Sequence, residues 1–84
     1  MEKINLSEYI SSMGILIDVR HPIDYKREHD NRAINIYADK LLSNPSKYLD
    51  KNKRYFIICK SGYLSKRVVV TLKYLGYMVT QVIN

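Results

Sequence analysis

Residues 55–76, Tyr55-Phe-Ile-Ile-Cys59-Lys-Ser-Gly-Tyr-Leu-Ser65-Lys-Arg-Val-Val-Val-Thr-Leu-Lys-Tyr-Leu75-Gly76, decide how the rest of the chain is read. Residues 55–58 form an apolar run of strand length and strand composition. It ends at Cys59, the one cysteine of the protein. A short polar loop follows, and from Ser65 the spacing of Val68, Val69, Leu72 and Leu75 gives one apolar side to a helix that stops at Gly76. Ser65 suits an N-cap and Gly76 the left-handed residue after a helix. The run Val68-Val-Val-Thr71 argues the other way, because β-branched residues favour strands. Caps and spacing together favour the helix.

A loop between a strand end and a helix start aims several backbone N–H groups at one spot, where the helix dipole also favours negative charge. Cys59 opens that loop. Its thiolate would gain from those donors and from Lys60, which raises the reactive fraction of the thiol. A free cysteine closing a core strand is equally well a small buried hydrophobe. Position alone leaves the two readings open.

The 84 residues suit a single small domain, with 46% hydrophobic residues and no sign of disorder. At this size folding buries only about 60% of the unfolded surface, so stability margins are narrow. No apolar run approaches the length of a membrane span, and Met1-Glu-Lys-Ile-Asn5 lacks the apolar region of a signal peptide. A cytoplasmic protein without a membrane partner is expected. One cysteine excludes an internal disulfide and a cysteine-cluster metal site. The net charge of +6 favours anionic partners, but the basic residues are scattered and no RNA-binding motif accompanies the eight tyrosines. Nucleic-acid binding is not expected.

In chain order, residues 3–6 read as a first strand, and 8–13 as a helix capped by Ser7 and stopped by Gly14. Residues 15–19 form a nearly unbroken apolar run, as in a strand buried on both faces. Pro22 opens a helix, 33–36 read as a strand, Asp39 caps a helical turn through Leu42, and Pro45 starts another over 46–49. Residues 78–83 make the last strand. Strands alternating with helical pieces predict an α/β fold with a parallel sheet, four to five strands flanked by helices. Ligands in such sheets bind outside the carboxyl ends of the strands, where Asp18, Arg20 and Cys59 all fall.

With these residues assembled, the chain resembles a single-domain rhodanese, a rhodanese-like sulfurtransferase, over most of its length. Ile15-Leu-Ile-Asp18-Val-Arg20, Pro22 and Asp24-Tyr25 are similar to the family's L-I-D-V-R-x-P-x-E-Y. His29, Ala33 and Asn35-Ile36 fall where the family has G-H-I-x-G-A-x-N-I, and Cys59-Lys-Ser61-Gly62-Tyr-Leu-Ser65 resembles C-x-S-G-x-R-S. Leu75-Gly76-Tyr77 with Val79 resembles the family's closing L-x-x-x-G-Y/F-x-V. Four motifs in the right order on independently read elements make a specific signal.

The resemblance implies that Cys59 is a nucleophile that takes sulfane sulfur as a persulfide. The donor would be thiosulfate, polysulfide or a low-molecular-weight persulfide, and the acceptor cyanide, a thiol or an acceptor protein. It implies no cofactor and no metal. Lys60, Ser61, Gly62, Tyr63, Leu64 and Ser65 would form the loop that cradles the persulfide. Asp18, Arg20 and His29 would support it, Asp18 and Arg20 as a structural pair and His29 through a structural hydrogen bond. His21 is expected on the surface.

The chain departs from the family pattern at several positions. Leu64 stands where the family often has arginine, which removes a bidentate partner for the sulfonate of thiosulfate. Glu28 and Arg32 replace two glycines around His29, and Asp30 an apolar residue. The familiar terminal Gly-Gly turn and helix are also missing from these residues, which predicts an apolar patch near the chain ends and with it a homodimer or an acceptor complex. The alternative is that Tyr9, Ile10 and Met13 cover that face. A catalytically idle, rhodanese-like protein-binding module remains the competing functional class, favoured by Leu64 as the intact Cys59 and Ser61-Gly62 favour the enzyme.

Overall fold

The computed structural model describes residues 2–84. Five parallel strands, β1 (Lys3–Asn5), β2 (Ile15–Asp18), β3 (Ala33–Asn35), β4 (Arg54–Ile58) and β5 (Met78–Ile83), form one sheet in the order β1-β5-β4-β2-β3. The predicted parallel α/β architecture is therefore present. β4 lies at the centre, with Ile57 level with Ile17 on one side and Gln81 on the other. Helices α1 (Pro22–Arg27), α2 (Ala38–Ser43), α3 (Pro45–Tyr48) and α4 (Tyr63–Tyr74) make the crossovers.

Alternation along the strands divides the core in two. Ile17, Val19, Tyr55, Ile57 and Val79 face Leu41 of α2 and Val68, Val69 and Leu72 of α4. On the opposite face Leu16, Phe56, Ile58 and Val82 pack with Tyr9 and Ala33, and Ile4, Leu6 and Tyr25 border them. β2 and β4 are buried on both sides, which is why their sequences read as unbroken apolar runs.

Burial settles the conflict posed by the β-branched run. Val68 and Val69 are fully buried, each contributing about 1.5–3 kcal/mol, against a helix-propensity cost of at most about 0.7 kcal/mol per residue. Packing wins. The C-terminus of α4 closes as the sequence predicts. Gly76 takes a left-handed φ of 96°, its N–H donates to Lys73 O, and Tyr77 N–H reaches back to Leu72 O at 3.0 Å.

Two expectations need correction. Residues 8–13 do not form a helix. They are two single 3-10 turns, Leu6–Glu8 and Ser11–Met13, with extended backbone at Tyr9 and Ile10. Tertiary packing overrides the local signal: Tyr9, in extended backbone, is buried on Phe56 with ring centroids 5.3 Å apart. The Tyr9 hydroxyl then donates to Gly14 O at 2.6 Å. Tyr9 alone of the three proposed covering residues is buried; Ile10 is 58% and Met13 40% exposed. The second correction is the start of α4, which is Tyr63 and not Ser65. Gly62, with φ 85°, is the capping residue, and the shift places Ser65 inside the first turn with its side chain fully buried.

Candidate active site

β4 delivers Cys59 to the carboxyl edge of the sheet, and the loop 59–62 curls back over its side chain. The left-handed turn at Gly62 points two backbone donors inward. Gly62 N–H and Ser65 N–H each reach Cys59 Sγ at 3.2 Å, and Ser65 Oγ lies 3.3 Å away. The sulfur thus sits in a nest of donors at the head of a twelve-residue helix, an arrangement that favours an anion there. Ser61 Oγ accepts from Tyr63 N–H at 3.3 Å and stabilises the turn.

Behind the nest lies a residue that sequence reading missed. Gln81, 4% exposed on β5, donates from Nε2 to Gly62 O at 2.7 Å and to Ser65 Oγ at 3.1 Å. The Ser65 hydroxyl donates to Gly62 O at 3.2 Å, a carbonyl that also receives Gln81 and, at 3.1 Å, Lys66 N–H. Its oxygen accepts from Gln81 Nε2 and from the Cys59 thiol, which ties the sulfur to the loop and to β5. The one available signal was an amide side chain in an otherwise apolar strand, which burial makes costly unless it is bonded.

The other wall is made by the β2 end and the segment between α1 and β3. Asp18, buried, accepts Arg20 N–H and Nε, and its second oxygen takes Arg20 Nη2 at 2.8 Å. Arg20 Nη2 also donates to Glu28 O at 2.6 Å. The hydrogen bond to Asp18 raises the pKa of Arg20 further, with burial opposing. Asn35, which the sequence places in a family motif without a role, donates to both Asp18 O and Arg20 O at 2.9 Å and steadies the bend after β2.

Where the family has glycines, this chain uses charge. Among the described residues no non-glycine has a positive φ, and Glu28 is extended at φ −165°. Arg32 closes the segment instead, bonding Asp30 through Nε and Nη2, Tyr9 O through Nη1, and covering the Tyr9 ring at 4.9 Å. The Arg32 hydrogen bond pulls the Asp30 carboxyl down to about 2, against the opposing effect of burial. His29 stacks on Tyr25 at 3.6 Å and its Nδ1 donates to Tyr25 O at 2.6 Å; it makes no hydrogen bond to Cys59. His21 is exposed and caps α1 by accepting Ile23 N–H.

These walls enclose a cavity of about 410 Å³ bordered by Cys59, Lys60, Asp18, Arg20, Glu28, His29 and Asp30, with Leu6, Ile58 and Asn84. The structure therefore brings Cys59, Lys60, Asp18, Arg20 and His29 to one place. Gly62 and Ser65 touch the sulfur from behind. Tyr63 and Leu64 do not line the cavity: Tyr63 points to solvent and Leu64 packs on the core, both on the first turn of α4. Among the described residues no cluster of three His, Cys, Asp or Glu side chains is placed to hold a metal ion. No described helix is long and apolar enough to cross a membrane.

The family model for the rhodanese-like domain matches residues 3–84. A Staphylococcus saprophyticus protein of known structure is 26% identical, with a TM-score of 0.87 over 100% of this chain and 88% of its own. A rhodanese-related protein from Thermoplasma volcanium is 27% identical, also at TM-score 0.87, covering 100% and 85%. An Escherichia coli rhodanese, described with anions, is 31% identical at TM-score 0.68 over 79% of both chains. No curated protein sequence matches. The fold, the position of Cys59 after the central strand and the family match over residues 3–84 agree, and the chain belongs to the rhodanese-like domain family.

Proposed function

We propose that this protein is a sulfurtransferase that carries sulfane sulfur on Cys59 as a persulfide. The observation that supports it is the nest around Sγ: two backbone N–H groups at 3.2 Å and the Ser65 hydroxyl at 3.3 Å, at a residue that lines an open cavity. A buried inert cysteine has no use for two backbone donors aimed at its sulfur. A thiolate does, both as attacking group and as leaving group. In the first half-reaction Cys59 thiolate attacks the sulfane sulfur of the donor, whose remaining part leaves with the electron pair. In the second, an acceptor nucleophile attacks the outer sulfur and Cys59 departs as thiolate. The loop donors hold the negative charge in the states between.

The donor best suited to the cavity is a polysulfide or low-molecular-weight persulfide. Arg20, the guanidinium at the wall, is committed to Asp18 and Glu28 O, and Leu64 faces the core. A thiosulfate sulfonate finds no free bidentate partner there. Mass spectrometry after polysulfide treatment should show one added sulfur atom on wild type and none on Cys59→Ser; an unmodified wild type would favour the binding-module reading. Leu64→Arg, whose long side chain can lift its head group out of the core, should raise thiosulfate efficiency about tenfold, or ~1.4 kcal/mol. Unchanged thiosulfate kinetics in the folded variant would remove Leu64 from the account.

A further inference from the structure

The net charge of the chain is not spread evenly. Residues 1–50 carry seven lysines and arginines against eight aspartates and glutamates, whereas residues 51–84 carry seven basic residues and no acidic one. The whole positive excess therefore belongs to the part that builds β4, the Cys59 loop, α4 and β5. On α4 it has a definite place. Lys66, Arg67 and Lys73 are exposed, none of them in a salt bridge among the described residues, and they share the solvent-facing side of the helix with Tyr63, Val70 and Tyr74. Tyr63 is 78%, Val70 53% and Tyr74 89% exposed. Three cations thus alternate with two bare aromatic rings and a bare valine that burial does nothing to support. This face begins at the residue after Gly62, beside the loop that holds the thiol.

The placement of this charge says what it attracts. A small anion inside the cavity meets one cation, Lys60, that is in no salt bridge among the described residues, Arg20 already bonded, and the acidic residues Glu28 and Asp30. It cannot reach Lys66, Arg67 or Lys73. A macromolecule can, while its reactive group enters the cavity. We propose that the solvent face of α4 docks the acidic face of a protein thiol that accepts sulfur from Cys59, an inference that rests on the sulfur-transfer reading above. The acceptor thiolate attacks the outer sulfur of the persulfide, and a new S–S bond forms on the acceptor. The bond to Cys59 Sγ breaks, its electron pair returns to Cys59 as thiolate, and the outer sulfur leaves with its proton. The transfer needs no external oxidant or reductant. Tyr63, Val70 and Tyr74 supply contact area and the cations supply steering and orientation.

The test uses protein loaded with one sulfur by polysulfide and three peptide thiols of equal length, the cysteine flanked by glutamates, serines or lysines. Single-turnover transfer is compared between wild type and the triple variant Lys66→Glu, Arg67→Glu, Lys73→Glu, so that each peptide's own thiol reactivity cancels. All three side chains are exposed, and thermal melting of the variant confirms its fold. The wild-type-to-variant ratio should be about tenfold for the glutamate peptide at low salt, near one for the serine peptide and below one for the lysine peptide. At about 0.5 M salt, where screening reaches only a few ångströms, the ratios should converge. Equal ratios for all three peptides at low salt overturn the proposal. Equal ratios combined with salt-sensitive binding of an RNA oligonucleotide overturn it in favour of a nucleic-acid face. Loss of transfer to the serine peptide in both proteins would instead strike the sulfur-transfer reading itself.

Discussion

The two walls of the cavity are built by opposite means. The Cys59 loop is a backbone construction: its donors are main-chain N–H groups, and its shape depends on one left-handed glycine and one buried glutamine. The segment from Glu28 to Arg32 is a side-chain construction, closed by an ion pair where glycine turns would otherwise serve. The first kind tolerates changes in the side chains that point away, which is how Leu64 can stand in place of arginine without disturbing the nest. The second kind is exposed to solvent chemistry, because its bonds carry charge and their strength follows pH and salt. The reactive group hangs on the first wall, and the second shapes its access.

This contrast predicts a graded series of effects. The largest is on the backbone wall. Gln81→Leu removes two hydrogen bonds from the buried nest and should cost about 1–3 kcal/mol in urea unfolding. It should also slow iodoacetamide alkylation of Cys59 several-fold at neutral pH. The same slowing in Ser65→Ala, with no further loss in the double variant, would show that Gln81 acts through Ser65. Additive losses would show that it does not.

Gly62→Ala should come next, at about 1–2 kcal/mol. A Cβ there meets only Gln81 Nε2 at 3.7 Å and Ile83 Cγ2 at 3.9 Å, so the cost is that of the left-handed backbone and not of a clash. A neutral substitution by unfolding would mean that the loop can rebuild its turn, and the contrast between the walls would weaken.

On the charged wall the effects should be smaller, because exposed ion pairs are screened by solvent. Arg32→Ala releases Asp30 and Tyr9 O. It should lower the urea midpoint by less than Gly62→Ala does, while leaving Cys59 alkylation unchanged. A large fall in alkylation would show that the two walls are coupled.

The smallest effect is on acid stability. The folded-state pKa of Asp30, about 2, lies below its unfolded value near 4. Its contribution is therefore complete above about pH 4 and is lost as pH falls toward 2. Asp30→Asn should flatten the stability profile across that window and leave its slope at neutral pH untouched. Parallel profiles would place the acid sensitivity elsewhere.

What the sequence discloses follows the same division. The central strand, the cysteine at its end and the parallel α/β order are legible because they rest on local apolar runs and on residues that end helices. The site motifs are legible through the family resemblance. Ser65 is misread for a physical reason. Serine is a good cap, yet the left-handed Gly62 takes that role, α4 starts at Tyr63, and Ser65 is left free to face the thiol. Residues 8–13 mislead because Ser7 and Gly14 look like helix ends, while the deciding force, burial of Tyr9 on Phe56, is a contact across the sheet. The roles of Gln81 and Asn35 are hidden in the same way, although Asn35 itself falls in a family motif. Each is polar, each lies on a strand, and each acts on a residue far away in the chain.

The strand order has a consequence in time as well as in space. β1 pairs with β5, so that Lys3 lies level with Gln81 and Glu2 O accepts Gln81 N–H at 3.2 Å. These partners lie almost the whole chain apart, and such pairings form late and slowly because so long a loop must close first. During synthesis on the ribosome β2, β3 and β4 emerge early and can associate, while β1 waits for β5. Cys59 lacks its finished surroundings throughout that interval, since Gln81 arrives with the last strand. The loop around the thiol therefore gains its Gln81 brace only as the fold closes, and a nascent chain oxidised or alkylated before that moment would carry the lesion into the finished protein.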